Sequence, residues 1–166
     1  LTPRTTPLGG QAYDVVIVGA GQSGLVTAFA LFRSEVRNIL VLDKAPRDRE
    51  GPWRTYARMH TLRSPKDFTG PDLDIPSLTY QAYHEARFGK EAWRQLDLIP
   101  KELWADYLLW YRDVLGLPVE NEREVVDIRP DGDLLALAVA SPDGVRETLF
   151  ARKVVLATGQ EGLGDW

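Results

Sequence analysis

An α/β fold built on a largely parallel sheet is predicted by three observations. A short β-branched apolar run ends in a glycine-rich turn, strand periodicity gives way to helical periodicity just after it, and a second apolar run ends in an acid. The first run and its turn are Tyr13-Asp-Val-Val-Ile-Val-Gly-Ala-Gly-Gln-Ser-Gly-Leu25, and the second run is Asn38-Ile-Leu-Val-Leu-Asp-Lys44. Strand, glycine turn, helix and acid-tipped strand together are the framework of a Rossmann-like dinucleotide site.

Each glycine of Gly19-x-Gly21-x-x-Gly24 has its own reason to lack a side chain. Gly19 permits the tight exit from the strand, and Gly24 lets the helix pack close to the sheet. Gly21 lets backbone N–H groups approach a pyrophosphate, and a β-branched residue there would both block that approach and resist the turn. The phosphates would sit on the unpaired N–H groups of a helix starting near Gln22 or Ser23. The triplet alone is a weak signal, so its context carries the weight. Leu25, Ala28, Phe29 and Phe32 recur at helical spacing, and Asp43 lies 19 residues past Gly24, where an acid is expected to hydrogen-bond ribose hydroxyls.

Residues 1–11 read as a flexible N-terminal arm, and residues 12–166 as one dinucleotide-binding domain. Within it, 45–118 is a loop and helical insertion, 119–151 a β-excursion and 152–160 a return strand. From Ala45 to about Pro76 the chain lacks periodicity, yet Trp53, Tyr56, Met59, Leu62 and Phe68 make it too apolar for a disordered linker. It reads as an ordered lining loop. Thr79 to Phe88 reads as a helix stopped by Gly89. Pro100 opens a longer helix whose apolar stripe is Leu103, Trp104, Tyr107, Leu108, Tyr111, Val114 and Leu115, ended by Gly116 and Pro118. Its aromatics read as core. Three antiparallel strands follow at Glu124 to Ile128, Leu134 to Ala140 and Glu147 to Phe150, the last two joined by a Pro142-Asp-Gly144 turn. Lys153 to Gly159 is the last apolar strand with its small-residue end.

An apolar content of 44% with 27% charged residues is that of an ordinary soluble globular chain. The net charge of −4 and the lack of a basic run argue against nucleic acid or an anionic membrane surface as the main partner. No apolar run approaches the ~18 residues of a membrane span. The chain has no cysteine, which removes disulfides, thiolate metal sites and a redox-active disulfide, and it fits a cytoplasmic location. Two histidines, far apart in sequence, give no metal site.

In their order, Gly19-Ala-Gly-Gln-Ser-Gly24, Asp43-Lys44, the three-stranded excursion and Leu156-Ala-Thr-Gly159 resemble the N-terminal half of glutathione-reductase-like flavoproteins with two dinucleotide domains. Flavin-containing monooxygenases belong to that class. The resemblance implies FAD on the first fingerprint, with NADPH expected for the full-length protein. It implies Thr158 and Gly159 near the flavin, and Val125 or Val126 where backbone meets adenine. Gly51-Pro-Trp53 resembles the Gly-x-Trp of flavin-containing and Baeyer–Villiger monooxygenases, making Trp53 a cofactor candidate. Thr55 to Pro65 and Ile99 to Trp110 are equally similar to N-hydroxylating monooxygenases of ornithine or lysine, so the substrate class stays open. Met59 and Arg63 are candidates for the substrate or nicotinamide side.

The chemistry so implied is reduction of FAD by NADPH, then oxygenation of a small nucleophilic substrate through a flavin C4a-hydroperoxide. No catalytic acid or base is assigned. Another FAD-dependent oxidase or reductase, or a non-catalytic nucleotide-binding module, is the alternative. The same resemblance implies a truncated domain without turnover of its own, whose uncovered sheet edge favours self-association.

Overall fold

The computed structural model describes residues 9–68 and 70–159. The predicted opening holds: β1 (Tyr13–Val18), α1 (Gln22–Arg33) and β2 (Ile39–Leu42) form a parallel unit, with Val15 to Val18 paired in register with Ile39 to Leu42. The helical segment comprises α2 (Tyr80–Phe88), α3 (Lys90–Gln95) and α4 (Lys101–Val114). Then come β3 (Val119–Glu120), β4 (Glu124–Asp131), β5 (Leu134–Ala140) and β6 (Arg146–Leu156). One sheet holds all six strands in the order β3-β2-β1-β6-β5-β4.

The apolar runs of β1 and β2 are continuous because both faces are buried. Val15, Ile17, Ile39 and Val41 face the helices, where Leu25, Ala28 and Phe29 of α1 and Tyr107, Leu108 and Tyr111 of α4 complete the main core. Val16, Leu40 and Leu42 face the other way, onto Leu137, Val139 and Ala151. The antiparallel strands therefore cover the face that the helices leave open.

Two boundaries differ from the sequence expectation. The third excursion strand and the return strand are one strand, β6. At Ala151 it changes partners, pairing antiparallel with Leu135 on β5 and parallel with Tyr13 on β1. No glycine or proline interrupts it, and Arg152 is tied to Asp14 at 3.2 Å across the change. Beyond Ala151, β6 is paired on the β1 side only among the described residues, and Leu156 is 67% exposed. Val119–Glu120, placed by sequence at the start of the excursion, instead extends the parallel sheet beside β2. Its pairing is anchored by the Val41 and Asp43 N–H groups, which donate to Pro118 and Glu120 carbonyls.

The helical segment follows its local signals. Thr79 caps α2 by accepting from the Ala82 N–H at 3.1 Å, and Gly89, at φ +88°, ends it. Tyr107 and Tyr111 are fully buried, and their hydroxyls donate to the Leu78 and Pro71 carbonyls at 2.7 and 2.5 Å. These bonds fasten α4 to the long loop. Val114 departs from the predicted stripe and is exposed. The loop is ordered over its described residues. The Lys66 ammonium donates to the Trp93 and Leu96 carbonyls and lies 4.8 Å above the Trp93 ring. Among the described residues no helix is long and apolar enough to cross a membrane.

His84 is buried among Tyr80, Phe88 and Trp93, and its Nδ1 has no hydrogen-bond partner among the described residues. Burial, with Lys66 nearby, holds its pKa below the ordinary 6.5 against the opposing pull of Glu85. Its neutral form is thus the folded form. Stability from this group is fully present above pH 6.5 and is lost as pH falls below that value through the depressed folded pKa. Urea melts at pH values on either side of that window will show the acid-side loss in the parent chain and a reduced loss in His84→Phe.

Candidate dinucleotide site

The site forms where the carboxyl ends of β1, β2 and β6 meet. Gly19 adopts φ +106°, and a Cβ on it would lie 2.4 Å from the Ala157 carbonyl oxygen. Its conformation and its contact with the end of β6 both demand glycine. A Cβ on Gly24 would lie 1.8 Å from the Gly19 oxygen and 3.5 Å from Ile17 Cγ2, so that glycine sets how closely α1 approaches the turn and β1. Gly21 is different. Its φ of −67° suits any residue, and among the described residues a Cβ there would meet only the Gly51 Cα, in ordinary contact at 3.8 Å. Neither the backbone angle nor a Cβ is therefore resisted at position 21 by the described residues, whereas the sequence expectation had the turn geometry itself demanding glycine.

Gly21 is the N-cap of α1 and supplies no side-chain cap, and no acid stands in the first turn. The first N–H groups of the helix thus stand uncapped at the positive end of the helix dipole. Gln22 turns its Oε1 to the Trp104 indole N–H at 3.3 Å. Ser23 is exposed, and its carbonyl accepts from the Thr27 hydroxyl. Neither side chain occupies the helix end.

Asp43 is 9% exposed. Its Oδ2 accepts from the Ala20 N–H at 2.7 Å, and its Oδ1 accepts from the Ala45 N–H at 2.8 Å. The carboxylate thereby pins the end of β2 to the glycine turn. Two oxygens offer about four acceptor sites, so lone pairs remain for a diol. Lys44 beside it is exposed. The start of β4 docks on the same spot, with the Arg123 N–H donating to the Asp43 carbonyl at 2.9 Å. Val125 follows two residues later, half-buried on the second core, opposite Val139 and beside a bulge. At the end of β6, the Ala157 N–H donates to the Val18 carbonyl, and Thr158 and Gly159 emerge exposed beside the turn.

A groove runs from Ala20, Gly21 and Leu25 to α4, walled by Trp53, Arg54, Glu50 and Arg112. Trp53 meets Trp104 edge-to-face at 6.5 Å. The structure thus brings Gly21 and Trp53 to one groove. Met59 is half-buried and lines neither this groove nor a second, more open one. Arg63 is exposed and lines that second groove with Lys66 and Arg94.

Sequence reasoning passed over Glu50, Arg54 and Arg112. Arg54 pairs with both Asp48 and Asp106. Arg112 donates to Glu50 at 2.7 Å, the two side chains each being 10% exposed. Burial draws the Arg112 pKa below its ordinary value, and Glu50 opposes that shift. One signal was available: Arg112 follows Leu108 by one helical turn, a charge on the core-facing stripe of α4.

Residues 16–161 match the FAD-NAD(P)-binding family. The chain is 52% identical to the FAD-dependent urate hydroxylase of Xanthomonas campestris pv. campestris over 168 residues, which cover 99% of this chain and 34% of that protein. It therefore spans about a third of that relative's length. Among solved structures, ornithine hydroxylase from Pseudomonas aeruginosa superposes with a TM-score of 0.75 at 20% identity, covering 87% of this chain and 38% of that one. At that identity the likeness is one of fold. A flavin-containing monooxygenase from Stenotrophomonas maltophilia superposes with a TM-score of 0.66 at 26% identity, covering 89% and 38%. A glycine turn that among its described residues would accept a Cβ at Gly21 but not at Gly19 or Gly24, an acid pinned beside it and a match spanning most of the sequence lead to one assignment: the chain belongs to the FAD-NAD(P)-binding family.

Proposed function

We propose that this chain supplies the FAD site of an NADPH-dependent flavin monooxygenase that oxygenates a small nucleophilic substrate. The observation that carries the proposal is Gly21, where among the described residues a Cβ would meet nothing nearer than the Gly51 Cα, at the uncapped start of α1, in a chain 52% identical to an FAD-dependent urate hydroxylase. By that likeness the substrate is urate, and the ornithine alternative rests on a likeness of fold alone. Residues 12–166 form the FAD-binding part, and its working compartment is the cytoplasm, in keeping with a cysteine-free chain. Among the described residues Leu156, near the end of β6, is exposed, and this end of the sheet favours self-association.

FAD, when bound, supplies the redox chemistry, and the chain's own residues bind, orient and shield it. Gly21 and the first N–H groups of α1 hold the pyrophosphate, with Gln22 and Ser23 contributing backbone. Asp43 accepts from the ribose hydroxyls while keeping its bonds to Ala20 and Ala45. The backbone at Val125 receives adenine, and Trp53, Thr158 and Gly159 approach the flavin end. Lys44, exposed beside Asp43, would stand near the ribose, and Met59 and Arg63, outside the groove at Gly21, would serve the substrate or nicotinamide side.

Titration of FAD into the chain, followed by flavin fluorescence, will show saturable binding that exceeds NADP binding at the same site, since Asp43 disfavours a 2′-phosphate. Stronger binding of NADP would sink the proposal. Gly21→Val will abolish FAD binding, and Gly21→Ala will leave the thermal melt close to the parent's, because among the described residues a Cβ there makes only ordinary contact with the Gly51 Cα. Asp43→Ala will weaken binding by roughly ten- to a hundredfold, the equivalent of about 1.5–3 kcal/mol for a charge-assisted hydrogen bond. It will also lower Tm, through the lost bonds to Ala20 and Ala45.

A further inference from the structure

We infer that Glu50, Arg112 and Asn121 form a positioning cluster that holds residues 48–54 at the separation from the glycine turn that FAD binding requires. The inference rests on the FAD assignment and extends it to residues outside the glycine turn and Asp43.

The 48–54 segment contains two residues in the left-handed region, Asp48 at φ +74° and Gly51 at φ +68°. Glycine adopts that region freely, but for Asp48 such backbone persists only where its surroundings overdetermine it. Two charge clusters flank it. Arg54 pairs with Asp48 and Asp106, with side chains 26–39% exposed, and water screens those pairs. Glu50 is held far more firmly. Its Oε1 accepts from Arg112 Nη1 at 2.7 Å and from Asn121 Nδ2 at 2.6 Å. Arg112 Nη1 also donates to Asn121 Oδ1 at 2.8 Å, and its Nη2 to the Val119 carbonyl at 3.1 Å. Asn121 Nδ2 closes the cluster on the Ala45 carbonyl at 3.1 Å.

The cluster therefore ties three elements, α4, the strand end at β3 and the loop after β2, to a single carboxylate. Glu50 immediately precedes Gly51, whose Cα is the atom nearest to a side chain built on Gly21. A shift of Glu50 moves Gly51 and Trp53 relative to the glycine turn, and so changes the width of the groove. Arg112 also lines that groove, beside Leu108 and Leu109. A buried pair stripped of one partner leaves an uncompensated charge, so loss of stability alone does not distinguish positioning from support.

The test compares the chain with Glu50→Gln, with the double variant Glu50→Gln/Arg112→Met, and with Asp113→Asn. The last breaks the half-exposed Arg47–Asp113 pair near the same end of α4 and serves as the control. Four readouts are taken: thermal melting, amide exchange of Gly51 to Arg54 without ligand, FAD affinity, and the visible circular dichroism of bound FAD. Glu50→Gln is expected to speed exchange in the segment and to weaken FAD by about tenfold or more. The double variant removes the stranded guanidinium, so it is expected to regain Tm while exchange, affinity and dichroism stay altered. Asp113→Asn is expected to match the parent. A double variant that binds FAD as the parent does, with the parent's dichroism, would overturn the inference, as would unchanged exchange. A parent chain that fails to bind FAD would overturn the cofactor assignment instead; faster exchange in the variants would then leave the cluster as a loop anchor only.

Discussion

Contact between two stretches of backbone sets the geometry on which everything else depends. The glycine turn leaves β1 and passes directly over the Ala157–Thr158 peptide that leaves β6, so closely that a Cβ at Gly19 would stand 2.4 Å from the Ala157 oxygen. Val18 and Leu156 are neighbours in the parallel pairing, so both chains exit the sheet at one level. α1 then stacks on the turn at Gly24, and Asp43 reaches in from β2 to bond the Ala20 N–H. Three strand ends and one helix start converge within a few residues, where parallel sheets place their ligands.

Much of this was legible in the sequence because its signals are local. Glycine spacing, a change of period and a buried apolar run each act within a few residues, and they marked β1, α1, β2 and Asp43. Thr79 and Gly89 likewise bracket α2 by capping chemistry that depends on little beyond the helix itself. What escaped depends on distant partners. β3 has two residues and exists because β2 lies beside it. The union of the last excursion strand with the return strand turns on Ala151 facing β5 on one side and β1 on the other, for which no residue type is a marker. Val114 lies at the last turn of α4, where the apolar stripe has rotated off the core. Met59 and Arg63 sit in an aperiodic loop, whose course is set by side-chain anchors such as Lys66 and Lys101 rather than by any repeating pattern.

The charges of the groove divide by exposure. Arg54 and its two carboxylates are open to water, and their contribution is small and sensitive to salt. Glu50 and Arg112 are buried, and among the described residues the Arg112 side chain bonds only to Glu50, Asn121 and the Val119 carbonyl. An ion pair in such a place is retained less for net stability than for the single arrangement it enforces, which is the use best matched to a segment with two left-handed residues. The hydroxyls of Tyr107 and Tyr111 act similarly behind it, fixing α4 to the long loop through the Leu78 and Pro71 carbonyls. Burial raises the pKa of both phenols, so they remain neutral donors across the physiological range.

The three glycines finally separate what the fold requires from what a ligand requires. Gly19 and Gly24 are explained by atoms of this chain, since each would drive a Cβ into backbone. Gly21 is not explained that way. Its backbone conformation is ordinary, and among the described residues the nearest neighbour of a Cβ there is another glycine, so alanine would meet no clash with them. A third glycine that the protein itself does not need is accounted for by something that approaches from outside. The uncapped N–H groups of α1 indicate that it is anionic, and the lone pairs left on Asp43 indicate that it also carries hydroxyl donors. A ribose-bearing pyrophosphate, the group proposed for this site, would satisfy both demands at once, so the one glycine that the described residues do not demand carries more functional information than the motif that contains it.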